Sequence, residues 1–124
     1  MGSPITTHCL DTSTGKPAAN LHILLERCVN DVDVNTATDV EYEWVTMGDA
    51  WTNSDGRAPE ISAGLTIEPS IYRCVFFTQE YFSATGTSTF YPRVEVMFRI
   101  TDTNSHYHIP LLLSPFGYST YRGS

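Results

Sequence analysis

His106-Tyr107-His108-Ile109-Pro110-Leu111-Leu112-Leu113-Ser114 is the stretch that decides how this chain is built. Side chains of an extended segment alternate between two faces. Tyr107, Ile109, Leu111 and Leu113 then share one face, an apolar set suited to a core. His106 and His108 fall on the other face, beside Leu112. The run reads as a strand with its back to the core and its imidazoles turned outward, toward solvent or another subunit.

The same period of two extends along the chain. In 92–101, Val94, Val96, Phe98 and Ile100 point in, while Arg93, Glu95 and Arg99 point out. In 20–28, Leu21, Ile23 and Leu25 share a face. Further strands are expected at 5–11, at 41–48 with Tyr42 and Trp44, near Trp51, at 70–77 and at 117–122. Turn signals at Thr14-Gly15-Lys16-Pro17 and Asn53-Ser54-Asp55-Gly56 separate them. Thr78 is expected to cap one or two helical turns that end near Gly86. About eight short strands with turns between them predict a single all-β domain over 1–124, a sandwich or barrel.

Composition limits the partners. The net charge of −7 with a single lysine, Lys16, opposes a nucleic-acid surface or an anionic membrane surface. An electron-rich substrate would need a local arginine. Cys9, Cys28 and Cys74 make an odd count at wide spacing, without a C-x-x-C pattern, and read as buried thiols of a reducing compartment. No apolar leader opens the chain and no apolar run is long enough to span a membrane. A cytoplasmic or peroxisomal protein is expected, not a secreted one. Met1-Gly2-Ser3-Pro4-Ile5-Thr6 has the form of a myristoylation site but abuts the first strand. Residues 30–43 carry five acidic residues and no basic one. Asp31-x-Asp33-x-Asn35 there mimics a calcium loop, yet Thr36 replaces the glycine and Tyr42 the closing glutamate, so a solvated loop is expected.

Few side chains offer chemistry. A Cys9–His8 nucleophile fails on parity, because neighbours on a strand face opposite ways. His106-x-His108 has a spacing that can bind zinc from one strand face, with His8 as a third ligand, but no carboxylate or thiol stands at ligand spacing. Arg57 follows a tight turn able to fix its guanidinium. The end of the chain, Tyr121-Arg122-Gly123-Ser124, puts a phenol, a guanidinium, a hydroxyl and a carboxylate just beyond the two histidines.

Three motifs together carry a resemblance. Thr6-Thr7-His8-Cys9-Leu10-Asp11 followed by Gly15-Lys16-Pro17-Ala18 resembles the opening of the transthyretin-like family, and Thr52-Asn53-Ser54-Asp55-Gly56-Arg57 its middle motif. The stretch from His106 to Ser114-Pro115, with the terminal Tyr121-Arg122-Gly123-Ser124, resembles the closing signature of the family's 5-hydroxyisourate hydrolases. Hormone carriers of the same fold lack that ending. The resemblance implies a prealbumin-like sandwich of two four-stranded sheets with one short helix. It also implies a homotetramer with active sites at the dimer–dimer interface.

Carried over by motif, the catalytic positions are His8, Arg57, His108 and Ser124, with Tyr121 and His106 as substrate-binding neighbours and no metal or cofactor. The implied reaction is hydrolytic opening of the six-membered ring of 5-hydroxyisourate in purine catabolism. A histidine would activate water, Arg57 would polarise the carbonyl, and Ser124 would orient substrate or water. Which histidine is the base stays open at this level. Cys9, where the family more often has an aliphatic residue, and the acidic segment depart from the pattern. The rival readings are an aromatic-hormone carrier and a zinc hydrolase.

Overall fold

A computed structural model describes residues 3–30 and 41–124. The first two residues of the acylation-like stretch and the calcium-like triad lie outside the described residues. The elements run β1 (Ile5–Asp11), β2 (Lys16–Pro17), β3 (His22–Cys28), β4 (Trp44–Trp51), β5 (Ser70–Phe76), α1 (Thr78–Ser83), β6 (Val94–Ile100), β7 (Tyr107–Ser114) and β8 (Gly117–Thr120).

They form two four-stranded sheets, ordered β2-β1-β7-β8 and β4-β3-β5-β6. Their inward faces supply the shared core. Ile5, Cys9, Leu111 and Leu113 come from the first sheet, and Ile23, Leu25, Tyr72, Phe76, Val94 and Ile100 from the second. The parity expected for 107–113 and 94–100 therefore holds, with both ends of β6 buried and Glu95, Met97 and Arg99 exposed. Truncating Leu111 or Leu113 to alanine would cost about 2–5 kcal/mol. Cys9, Cys28 and Cys74 are buried free thiols. Burial pushes Cys9 and Cys74 up to about 12, so neither is a nucleophile.

Two local expectations need correction. The segment around Trp51 is not a separate strand: β4 runs unbroken from Trp44 to Trp51, and Tyr42 stands before it. A register shift opposite Leu25 and Glu26 absorbs the irregularity. Thr78 is not the helix cap either. Phe77 holds that position without a side-chain hydrogen bond, and the Thr78 hydroxyl donates to the Tyr91 carbonyl at 2.5 Å. The buried hydroxyl ties the helix to the loop before β6 instead of to its own first turn.

Two pairings hold the histidine strand in place. β1 runs parallel to β7, with Thr6 opposite His108 and His8 opposite Pro110. β8 runs antiparallel to β7 from Ser114–Gly117 to Leu111–Thr120. Pro110 has no N–H to offer across that ladder. The regular strand stops at Thr120, whose hydroxyl donates to the Pro110 carbonyl at 2.7 Å. Pairing resumes at an isolated bridge between His108 and Gly123.

Candidate active site

The outward face of the first sheet carries the polar residues that parity set apart. Even-numbered Thr6 and His8 on β1 lie on the same side as His108 and Leu112 on β7, because their partners Thr7, Cys9, Ile109 and Leu111 are buried. Four short segments lie side by side here: the turn ending at Arg57, β1, β7 and the chain's last residues. Arg57 bridges to His8, His8 pairs with Pro110, Thr6 pairs with His108, and His108 bridges to Gly123. Each step across paired strands is about 4.8 Å, so the groups share one compact patch.

Arg57 is held by a local device. The Asn53 side-chain oxygen accepts from the backbone N–H groups of Asp55 and Arg57, at 2.9 and 3.1 Å. The Asn53 N–H donates to the Arg57 carbonyl at 2.7 Å. Gly56 before it has φ +75°, and a Cβ there would run into the Cys9 carbonyl oxygen. That carbonyl is close because β1 is docked on the turn, with the Cys9 N–H donating to Gly56 at 2.8 Å. Buried Thr52 locks the turn from the other side, donating to Ala18 at 2.6 Å and accepting from the Leu21 N–H at 2.9 Å.

The end of the chain is held as firmly. The Gly123 N–H donates to the His108 carbonyl at 2.9 Å. A Cβ on Gly123 would stand 2.5 Å from His108 Cδ2 and 3.2 Å from Pro110 Cγ. Gly123 is not in the left-handed region, so it is the close approach to the imidazole that calls for glycine. Ser124 comes directly after it. The Arg122 guanidinium folds back over the Tyr107 ring at 4.5 Å and donates to the His106 carbonyl at 3.3 Å.

His108 is half-buried. Its pKa is lowered first by burial, then by the nearby charges of Arg57, His106 and His8, against a smaller opposing effect of Thr6. A neutral ring able to accept a proton is therefore favoured near neutral pH. Its Nδ1 lies 2.8 Å from the Thr6 hydroxyl, and the same hydroxyl lies 2.8 Å from His106 Nε2.

Of the six positions expected from sequence, His8, Arg57, His106 and His108 fall on this patch, and Ser124 adjoins it through Gly123. Tyr121 is less tightly engaged. Continuing the β7–β8 register puts it opposite Pro110, yet it is 61% exposed and borders a cavity of about 250 Å³ shared with Met97, Arg99 and Tyr107. Sequence reasoning passed over Thr6, Asn53 and Gly123 as individual residues. Parity could have found Thr6, which lies two residues before His8. A larger cavity, about 550 Å³, opens between the β1–β2 turn and α1, away from these residues. Among the described residues no group of three or more His, Cys, Asp or Glu is gathered to hold a metal ion. No helix there is long and apolar enough to cross a membrane.

The patch can thus present a neutral imidazole, the guanidinium of Arg57 on an anchored backbone and the Ser124 hydroxyl to one small molecule. Comparisons with known proteins bear on the identity of that molecule. Residues 5–123 match the model of the HIUase/Transthyretin family. The mouse 5-hydroxyisourate hydrolase is 41% identical over 122 residues, covering 98% of this chain and 96% of the mouse protein. The solved 5-hydroxyisourate hydrolase of Klebsiella pneumoniae superposes with a TM-score of 0.78 at 29% identity, over all of both chains. Transthyretin from Sparus aurata superposes with a TM-score of 0.84 at 24% identity, covering 98% of this chain and 97% of that one, a likeness of fold alone.

Proposed function

Because the chain belongs to the HIUase/Transthyretin family, we propose that it hydrolyses 5-hydroxyisourate, opening the six-membered ring to 2-oxo-4-hydroxy-4-carboxy-5-ureidoimidazoline in urate breakdown. The observation that carries this reading is the meeting of Arg57 with His8 and of His108 with the chain's end on one sheet face. Cutting an amide-like bond with water needs a base, a group for the developing oxyanion, and an acid for the leaving nitrogen.

His108 is the base. Its lowered pKa keeps the ring neutral, and the Thr6 hydroxyl at Nδ1 leaves Nε2 for water. Arg57 receives the carbonyl oxygen through its planar fork, its backbone held by Asn53 and Gly56. His8, bridged to Arg57, adds a second imidazole beside the reacting carbonyl. Ser124 orients substrate or water, with Tyr121 and His106 at the rim. No covalent intermediate and no cofactor enters the scheme.

One protomer offers these groups on an exposed sheet face. Laying a second copy over it would exclude water and strengthen every electrostatic contact inside. We therefore place the working site at the dimer–dimer interface of a homotetramer, which a mass measurement in solution tests.

The catalytic test is the ultraviolet decay of freshly made 5-hydroxyisourate. Acceleration by the protein that is indifferent to chelator is expected, and His108→Asn should lose ~100-fold or more in turnover. Near-normal decay with that variant would reject the base. Retained ligand without catalysed decay would mark a carrier, and loss on chelation a zinc enzyme.

A further inference from the structure

We propose that Thr6 is a positioning residue whose hydroxyl joins His106 and His108 into one unit, letting the positive charge gained by His108 be shared with the exposed ring of His106. This rests on the proposed hydrolysis of 5-hydroxyisourate.

The geometry leaves little choice of arrangement. Thr6 Oγ1 is 2.8 Å from His106 Nε2 and 2.8 Å from His108 Nδ1. A hydroxyl owns one proton and two lone pairs. Donating to one ring, it accepts from the other. In the first arrangement His108 Nδ1–H donates to Thr6, Thr6 donates to His106 Nε2, and His108 Nε2 is a bare lone pair. In the second every donor and acceptor is reversed.

A balanced proton shift converts one into the other. As water loses a proton to His108 Nε2, the Nδ1–H bond of His108 breaks and a new O–H bond forms on Thr6. The original Thr6 proton passes to His106 Nε2. Three bonds break and three form, and the charge ends on His106. When the leaving nitrogen takes the Nε2 proton, the two inner protons return and both rings are restored.

The surroundings give this shift a direction. His108 is half-buried and faces Arg57 and His8 from the β1 side, whereas His106 is exposed just before β7. An imidazolium is better solvated at the outer position. Arg122, bonded to the His106 carbonyl, is the other charge beside the pair, and Asp102 in the turn before β7 accepts from the Asn104 N–H and the Ser105 hydroxyl.

The test uses the whole chain with Thr6→Val, Thr6→Ser and His106→Gln, read by side-chain nitrogen NMR across pH and by the pH profile of kcat. In the unaltered protein the nitrogen signals of both rings should respond together, as the shared hydroxyl requires. T6V should unlink them and lower kcat by roughly ten- to 100-fold with little change in KM, the range for losing a partner that orients a working imidazole. T6S, which keeps a hydroxyl, should restore both. Because the two residues form one path, T6V and H106Q combined should cost no more than the worse of the two alone. Unchanged ring titrations and an unchanged pH profile in T6V would overturn the proposal, as would additive losses in the double variant. If the unaltered protein leaves 5-hydroxyisourate untouched, the hydrolase reading falls with the charge-sharing role in turnover. The linked titration then decides the hydroxyl bridge by itself.

Discussion

Replacing Gly123 by alanine would put one methyl group where the chain's end crosses His108. The new Cβ would lie 2.5 Å from His108 Cδ2, 3.1 Å from Cγ and 3.2 Å from Pro110 Cγ. Ordinary carbon–carbon contact needs about 3.5–4.0 Å, so the tail or the ring must give way by roughly 1 Å. The Pro110 ring blocks one escape, and the Gly123–His108 hydrogen bond of 2.9 Å resists lifting of the tail. That bond is worth about 1 kcal/mol, less than the clash, so the tail should swing off and take Ser124 with it. A misplacement of about 1 Å in a reacting array costs on the order of 100-fold in rate. The expected result is a ~100-fold drop in kcat, with a melting temperature within a few degrees of the parent because the tail is exposed. The assay pairs ultraviolet decay of 5-hydroxyisourate with thermal unfolding. Turnover within about twofold of the parent would refute the claim that the chain's end must sit against His108.

The same geometry sets other outcomes. Gly56→Ala meets the Cys9 carbonyl in a left-handed conformation and should destabilise the fold by about 2–4 kcal/mol in urea titration, with loss of activity as the Arg57 turn shifts. Arg57→Lys keeps the charge but loses the fork, so kcat/KM should fall by about tenfold or more at unchanged stability; parental kinetics would leave Arg57 a surface residue. His108 has a folded pKa below its ordinary 6.5, so the unfolded chain binds more protons as pH drops past 6.5. Its contribution is then a loss of stability on acidification through that value, levelling off below the folded pKa. The melting temperature of the parent should therefore fall relative to that of H108N between pH 7 and 5, and parallel curves would contradict the shift.

Much of the sheet architecture was legible because burial alternates along β1 and β6, and along β7 except at buried Pro110, and a period of two is hard to mistake. The outward placement of His106 and His108 came from Tyr107, Ile109, Leu111 and Leu113 alone. Where local patterns misled, a tertiary contact had overridden a local rule. Thr78 looked like a cap but spends its hydroxyl on Tyr91, thirteen positions away. The roles of Thr6 and Gly123 were hidden for a similar reason, although parity does put Thr6 on the face of His8. Their roles depend on which backbone lies across from them, and pairings such as Thr6 with His108 have no local signature. A proline is unusual within a central strand, yet Pro110 is tolerated because the tail leaves the ladder opposite it and returns at Gly123.

The parallel pairing of β1 with β7 has a consequence for assembly. The Thr6–His108 contact joins positions 102 apart in the chain, whereas β3 with β4 and β5 with β6 are joined by far shorter excursions. Closing the long excursion carries the larger entropic cost and is the slower event. During refolding the second sheet can gather early. Catalytic competence then arrives last, when the two ends of the polypeptide find each other.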